Sequence, residues 1–242
     1  MKFANFVHLH THSQYSLLDG ACALDGVIEL AKQYKMPALA ITDHGNLFAA
    51  AEFYKKATKA GLKAIIGTEA YVAGGSRFDK KPSTVYPDGG FHLVLLAKNQ
   101  VGYKNLIKLS TAGFLEGFYH RPRIDKELLR EHAECLIGLS AGMKGEVNWH
   151  LLHGAPEKAV AAAHELNEIF GEGNFYLELQ NHGLEKEKLL IPMITTIHRD
   201  TGIPLVVTND CHYLHRQDWE AHDARLCIHT GNMVSERERR KS

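Results

Sequence analysis

The chain has neither an excess of one charge nor a paired set of cysteines. Lys+Arg and Asp+Glu are both 28 in 242 residues, so the formal net charge is zero. Such a chain lacks the broad positive field of an autonomous nucleic-acid binder, and any contact with DNA must be local or supplied by other parts of a larger protein. The four cysteines, Cys22, Cys135, Cys211 and Cys227, form no CxxC and no paired spacing. That excludes a disulfide scaffold and a cysteine-rich zinc module, and it points to a reduced, cytoplasmic protein. No apolar run approaches the roughly 20 residues of a membrane helix, and no charged-then-apolar leader opens the chain, so no membrane contact is expected. GxGxxG and P-loop patterns are missing as well, which removes the usual signature of a nucleotide-binding open sheet.

What the chain does have is histidine, 16 of them. Three alternate near the start, in Val7-His8-Leu9-His10-Thr11-His12, and Asp19 follows seven residues after the last. Side chains two apart on a strand share a face, so this run can aim its imidazoles at one spot, which suits a metal better than an apolar core. The same residue types recur where other apolar runs stop. Asp43-His44 follows Pro37 to Thr42, Glu69 follows Ala64 to Thr68, and Asp210-Cys211-His212 follows Leu205 to Asn209.

Runs rich in β-formers cover 6–10, 37–42, 63–72, 91–97, 135–141, 174–180 and 203–209. Helical spacing fills most of the gaps: 24–34, a stretch capped by Asn46 that runs to Lys59, 101–117, a short helix capped by Asp125, 156–170 and 184–201. Near-continuous apolar strands alternating with amphipathic helices predict an α/β fold with a parallel sheet, a distorted (β/α)7 TIM-like barrel. An open doubly wound sheet is the competing architecture. In both, ligands gather at the C-terminal ends of the strands. Residues 73–90, rich in Gly, Pro and charge, read as an irregular excursion near the site rim. One domain is expected over 1–234. The charged tail 235–242 reads as the cut end of a longer chain, with a frayed natural terminus as the alternative that composition leaves open.

The bland readings narrow the candidates. Asp43 suits a turn in which its carboxylate takes backbone amides, which leaves His44 for a metal. His8 lies deepest in its strand, so His10 and His12 are preferred. Asp210 and His212 share a face by alternation, and Cys211 points away. Glu69 can bridge two cations. His92 opens the strand 91–97, so in a parallel sheet it falls at the end opposite the others, and periodicity does not include it. Arg121 and Arg123, on either side of Pro122, are candidate phosphate contacts; two solvated arginines before a helix are the equally available alternative.

The phrases HLHTHSQYSLLDG, ALAITDHGN, GTEAYV, HLVLLAKN and VVTNDCHYL resemble the PHP (polymerase and histidinol phosphatase) family. GYKNLIKLS, PRIDKELL and FYLELQNHG are similar to the branch that begins the alpha subunit of bacterial replicative DNA polymerases. The resemblance implies the PHP fold and two to three divalent metals, among Zn, Mn, Fe or Mg. It implies one position held by His10, His12, Glu69 and Asp210, a second by Asp19, His44 and His212, and a third involving Glu69 and His92. His12 and Asp210 would be the residues on which catalysis turns. Where the family usually places a cysteine or histidine after the fifth strand, this chain has Gly142, which has no ligand atom.

The activity so implied is phosphoester hydrolysis, a 3′–5′ exonuclease acting on a DNA primer terminus or its vestige. A metal-stabilised platform for a separate proofreading exonuclease subunit is the second expectation, and a free-standing histidinol-phosphatase-like enzyme the third. The implied partner in the first two is the remainder of the polymerase alpha subunit. Nothing in these residues supplies the carboxylate-bearing palm of a nucleotidyltransferase, so no polymerisation is expected of the chain alone.

Overall fold

A computed structural model describes residues 4–83 and 89–236. The chain divides into two compact units, one made of Met1–Asp43, Phe48–Ile66 and Asp210–Ser242, the other of His44–Leu47 and Gly67–Asn209.

In the first unit, helix α1 (Leu24–Gln33) buries Leu24, Val27, Ile28 and Ala31, the i, i+3, i+4, i+7 stripe of an amphipathic helix. Helix α2 (Ala50–Lys59) buries Ala50, Phe53 and Ala57 in the same way. Its N-cap is Ala49. The expected cap, Asn46, instead turns its amide to the carbonyl of His44 at 2.9 Å, so the helix starts later than the sequence suggests. Gly61 adopts a left-handed φ of 75°, which lets the amide of Leu62 return to the carbonyl of Ala57 at 2.9 Å and closes the helix end. Strand β1 (Ala38–Ile41) pairs in parallel with the first residues of β2 (Lys63–Val72), Ala38 opposite Lys63 through Ile41 opposite Ile66. Leu39, Ile41, Phe53, Ala57 and Leu62 pack with the α1 stripe into one core. Deleting the ring of the fully buried Phe53 would cost about 3–5 kcal/mol.

The expected first strand, 6–10, does not form. The segment is extended, yet it is tied by isolated bridges at Thr11–Cys211 and Ser13–Cys22 rather than by a ladder. Beside the Thr11–Cys211 bridge the partner segment turns at Asp210, whose φ is 44°. The 3-10 turn Arg216–Asp218 and helix α8 (Trp219–Thr230) complete this unit, and neither was expected from the sequence.

In the second unit, β2 continues and pairs antiparallel with β3 (Phe91–Ala97), and β3 pairs antiparallel with β5 (Leu136–Leu139). Parallel pairing then joins β5 to β6 (Phe175–Leu179) and β6 to β7 (Leu205–Val207). The expectation of a uniformly parallel sheet is therefore corrected at β3. A parallel neighbour needs a long crossover, normally a helix. Residues 73–83, 89 and 90 form no helix or strand, and 84–88 lie outside the described residues. Between β3 and β5 run α3 (Gln100–Leu115), the two-residue strand β4 (Arg123–Ile124) beside the end of β2, and α4 (Lys126–His132). Asn99 and Asp125 cap the two helices through their side chains. Gly102 lets α3 lie on the chain before β5, since a Cβ there would stand 2.1 Å from the carbonyl oxygen of Cys135. Helices α5 (Glu146–Leu152), α6 (Pro156–Phe170) and α7 (Glu185–Thr201) complete the unit. Among the described residues no helix is long and apolar enough to cross a membrane. Most of the charged tail, 237–242, lies outside them.

Candidate metal centre

The first unit gathers His10, His12, Asp19, Asp210 and His212. Asp210 Oδ1 lies 3.1 Å from His12 Nε2, 3.3 Å from His10 Nε2 and 3.6 Å from His212 Nδ1. His10 and His12 are fully buried. The rings of His12 and His212 stack 4.3 Å apart. Two residues in left-handed backbone set the carboxylates, Asp210 itself and Leu18 just before Asp19. Strain of this kind collects at functional sites, and Asp is among the few side chains that tolerate it.

Hydrogen bonds behind the rings fix which nitrogen faces the cluster. Ser16 Oγ donates its one proton to Asp43 Oδ1 at 2.7 Å, so the contact of 3.0 Å with His12 Nδ1 has the ring as donor. A neutral His12 then presents the Nε2 lone pair to Asp210, itself an acceptor. His212 Nδ1 meets the carbonyl of Asp210 at 2.8 Å, must donate there, and so also keeps a lone pair on Nε2. Asp43 further accepts the amide and hydroxyl of Ser13, both at 2.7 Å, and so braces the segment that carries His10 and His12. Lone pairs facing a carboxylate repel unless a proton or a cation stands between them. The 3.1 and 3.3 Å separations of Asp210 Oδ1 from His12 and His10 Nε2 match the roughly 3.3 Å between ligand atoms that each lie about 2.0–2.1 Å from one tetrahedral zinc. Donor set and spacing thus fit a divalent metal. Burial raises the Asp210 carboxyl pKa; positive charge on protonated His10, His212 and His12, the role a bound cation would take, outweighs burial and lowers it.

The second unit gathers His44, Glu69 and His92, a set whose ligand atoms lie close enough to share an ion. His44 forms an isolated parallel bridge with Glu69, and the amide of Gly45 donates to the Glu69 carbonyl at 2.8 Å. Glu69 stands opposite Val94 on β3, and Tyr71 stands opposite His92, so Glu69 and His92 are diagonal neighbours on one sheet face. Because β3 runs antiparallel, its first residues lie beside the end of β2. That brings in His92, which strand order alone had excluded. Glu69 Oε2 meets His44 Nδ1 at 2.7 Å, and Oε1 meets His92 Nδ1 at 2.9 Å. Burial pushes the His92 pKa down, against the pull of Glu69 upward.

Gly142 lies just before α5 in this unit. A Cβ there would stand 2.4 Å from Gln180 Oε1, so the glutamine amide occupies the space a ligand side chain would enter. Arg121 stacks loosely over Tyr71, 5.9 Å from the ring centroid, and Tyr71 in turn edges His92 at 5.1 Å. Arg123 corrects the expectation of a phosphate contact. It is 2% exposed, and its guanidinium donates to the carbonyls of Gly117, Arg77 and Asp79 at 3.1, 3.3 and 2.9 Å. Those carbonyls tie the excursion after β2, through Arg77 and Asp79, to the chain after α3, through Gly117, so Arg123 is structural.

Two sets of residues escaped the sequence reading. Ser16 supports His12, and a serine four residues from a histidine gives no signal of that role. His222, on α8, places Nε2 3.7 Å from Asp19 Oδ1, while His212 Nε2 lies 3.8 Å from Asp19 Oδ2. A lone histidine on a helix face is indistinguishable in sequence from a packed core residue.

The PHP domain family matches residues 8–182. Over 241 residues the chain is 46% identical to DNA polymerase III subunit alpha of Treponema pallidum, covering 100% of this chain and 20% of that protein. With the same subunit of Thermus aquaticus it is 47% identical over 236 residues, covering 97% and 19%. The chain therefore spans about a fifth of the length of these relatives, their N-terminal part. Among solved structures, a two-domain protein from Bacteroides vulgatus, described as containing a predicted PHP-like metal-dependent phosphoesterase, aligns with TM-score 0.52 and 16% identity. It covers 94% of this chain and 55% of that one, and the likeness shows the fold, a mixed α/β architecture of the PHP type.

Proposed function

The chain belongs to the PHP domain family, and from that premise we propose that it is the metal-binding phosphoesterase-type module at the start of a bacterial replicative DNA polymerase alpha subunit. The observation that carries the metal reading is Asp210 Oδ1, set 3.1 and 3.3 Å from His12 and His10 Nε2 with the His12 lone pair turned toward it.

His10, His12 and Asp210 would hold one divalent ion. Asp19 and His212 would contribute to a second, and His44, Glu69 and His92 to a third. Bound there, such ions lower the pKa of water toward neutrality and neutralise phosphoryl oxygens. The chain's own part is to position and support. Ser16 and Asp43 keep the His12 lone pair aimed, and the carbonyl of Asp210 does the same for His212. Arg121 supplies a guanidinium for a phosphate of a primer terminus.

Hydrolysis by this chain is expected to be slow, because Gly142 removes one ligand and Gln180 fills the gap. The same observation favours a second reading, a metal-stabilised platform that docks a separate proofreading exonuclease and turns over no substrate. Metal analysis of the purified chain, run beside hydrolysis of a 3′-labelled primer, tests both. Slow, metal-dependent cleavage lost in His12→Ala supports the enzyme. Bound metal without cleavage supports the platform. A chain that retains no metal contradicts both.

A further inference from the structure

We propose that His222 is a direct metal ligand, joining Asp19 and His212, and that α8 therefore belongs to the metal centre. The inference rests on the metal reading above and extends it to a residue no motif includes.

Helix α8 turns His222, Asp223, Leu226 and Cys227 inward, the i, i+1, i+4, i+5 face of a helix packed on a core. Leu226 and Cys227, at 1% and 5% exposure, anchor it, and His222 rides on the same face at 5%. Its Nε2 and that of His212 address opposite oxygens of one buried carboxylate, at 3.7 and 3.8 Å. The two rings are tilted at 51° with centroids 5.6 Å apart, so neither blocks the other. A hydrogen bond from either ring to Asp19 would close to about 2.7–3.2 Å, and a charged pair would sit at the short end of that range.

These contacts are longer. His212 brings a lone pair on Nε2, because its Nδ1 donates to the carbonyl of Asp210. Asp19 brings only acceptors. Two imidazole nitrogens and a carboxylate are the donor types of a zinc-type ion, and at 3.7 and 3.8 Å they stand beyond hydrogen-bond range. Regular helix is a firm support for a ligand. A ligand on α8 would make the helix's docking depend on metal, a coupling that a merely packed histidine would not create.

The test begins with the unaltered chain, its histidine ring nitrogens followed by NMR during zinc titration. The inference expects the Nε2 resonance of His222 to move with that of His212. His222→Gln should then weaken binding of one metal equivalent by about a hundredfold or more, at or above the upper end for a supporting residue. His164→Gln on exposed α6 should leave binding unchanged. With cobalt as the probe, His222→Cys should add a thiolate-to-metal charge-transfer band in the near ultraviolet.

An unmoved His222 resonance while His212 shifts overturns the inference. So does a His222→Cys protein that binds cobalt without the new band, which would make His222 a residue that only orients Asp19. If the variants fail to fold in chelator, the titration of the unaltered chain decides alone. A chain that binds no zinc at all would instead sink the metal reading on which the inference stands.

Discussion

The two ligand clusters are built differently. In the first unit, Asp19, Asp210 and the rings around them stand 3.1–3.8 Å apart, with His12 and His212 locked so that lone pairs face carboxylates. In the second, Glu69 takes an imidazole on each oxygen at 2.7 and 2.9 Å, within ordinary hydrogen-bond range. Glu69 thus has His92 as a hydrogen-bond partner on one oxygen, whereas the first cluster sets imidazole lone pairs against its carboxylates. The family resemblance also assigns to the second cluster the position of Gly142, which has no ligand atom. Tight metal binding should therefore belong to the first cluster, with weaker, later binding at the second.

The largest effect should come from Asp210→Asn, which keeps the shape and tolerates the left-handed backbone but removes the charge. Metal analysis should show loss of the tightest equivalent, a drop in affinity above roughly 100-fold, beyond that of a supporting residue. A retained first equivalent would mean that the cluster is organised by protons instead. Ser16→Ala should come next. It frees the His12 ring to change tautomer, and calorimetric titration should show about 10–100-fold weaker binding. An unchanged isotherm would show that the lock is unnecessary.

The contrast can also be reduced from the other side. Gly142 is not in a left-handed conformation, so the obstacle to a side chain there is Gln180 alone. Gly142→Cys combined with Gln180→Ala should strengthen the weakest metal position by about tenfold and raise any hydrolysis, while Gly142→Cys alone gains less. Equal affinities in the double variant and the parent would show that a missing ligand is not what weakens that position.

The smallest effect concerns the second unit without metal. Asp125 caps α4 and pairs with Arg77 at 3.1 Å. Burial would raise its pKa, but the amides of Arg77 and Leu128 and the Arg77 guanidinium outweigh burial and hold it below the ordinary value. Its stabilisation is thus complete above the ordinary aspartate pKa of about 3.9 and fades as pH falls below that. Asp125→Ala should cost about 1 kcal/mol at neutral pH in chelator and flatten the acid limb of the stability profile. A variant with the parent's acid limb would contradict this.

Much of this was legible in the sequence. Strands 63–72 and 91–97 and helix 156–170 stand where their apolar patterns end. Asp125 caps its helix as expected. Strand ends named His44 and Glu69, and the alternating histidines named His10 and His12. The segment carrying those histidines is tied by isolated bridges rather than as a strand, yet the alternation still holds around Thr11. His92 entered only by family resemblance. Periodicity shows that a strand exists but not which way it runs, and direction was what decided His92. Arg123 looked like a surface cation, and only three-dimensional packing shows carbonyls around it. His222 had no local signal, since its partner Asp19 lies two hundred residues away in the chain.

The most direct test of the contrast is a substoichiometric zinc titration of the unaltered chain, followed through its histidine ring nitrogens. The account predicts that the resonances of His10 and His12 complete their shifts within the first equivalent, while that of His92 moves only at higher metal. His92 shifting first, or together with His10 and His12, would contradict it.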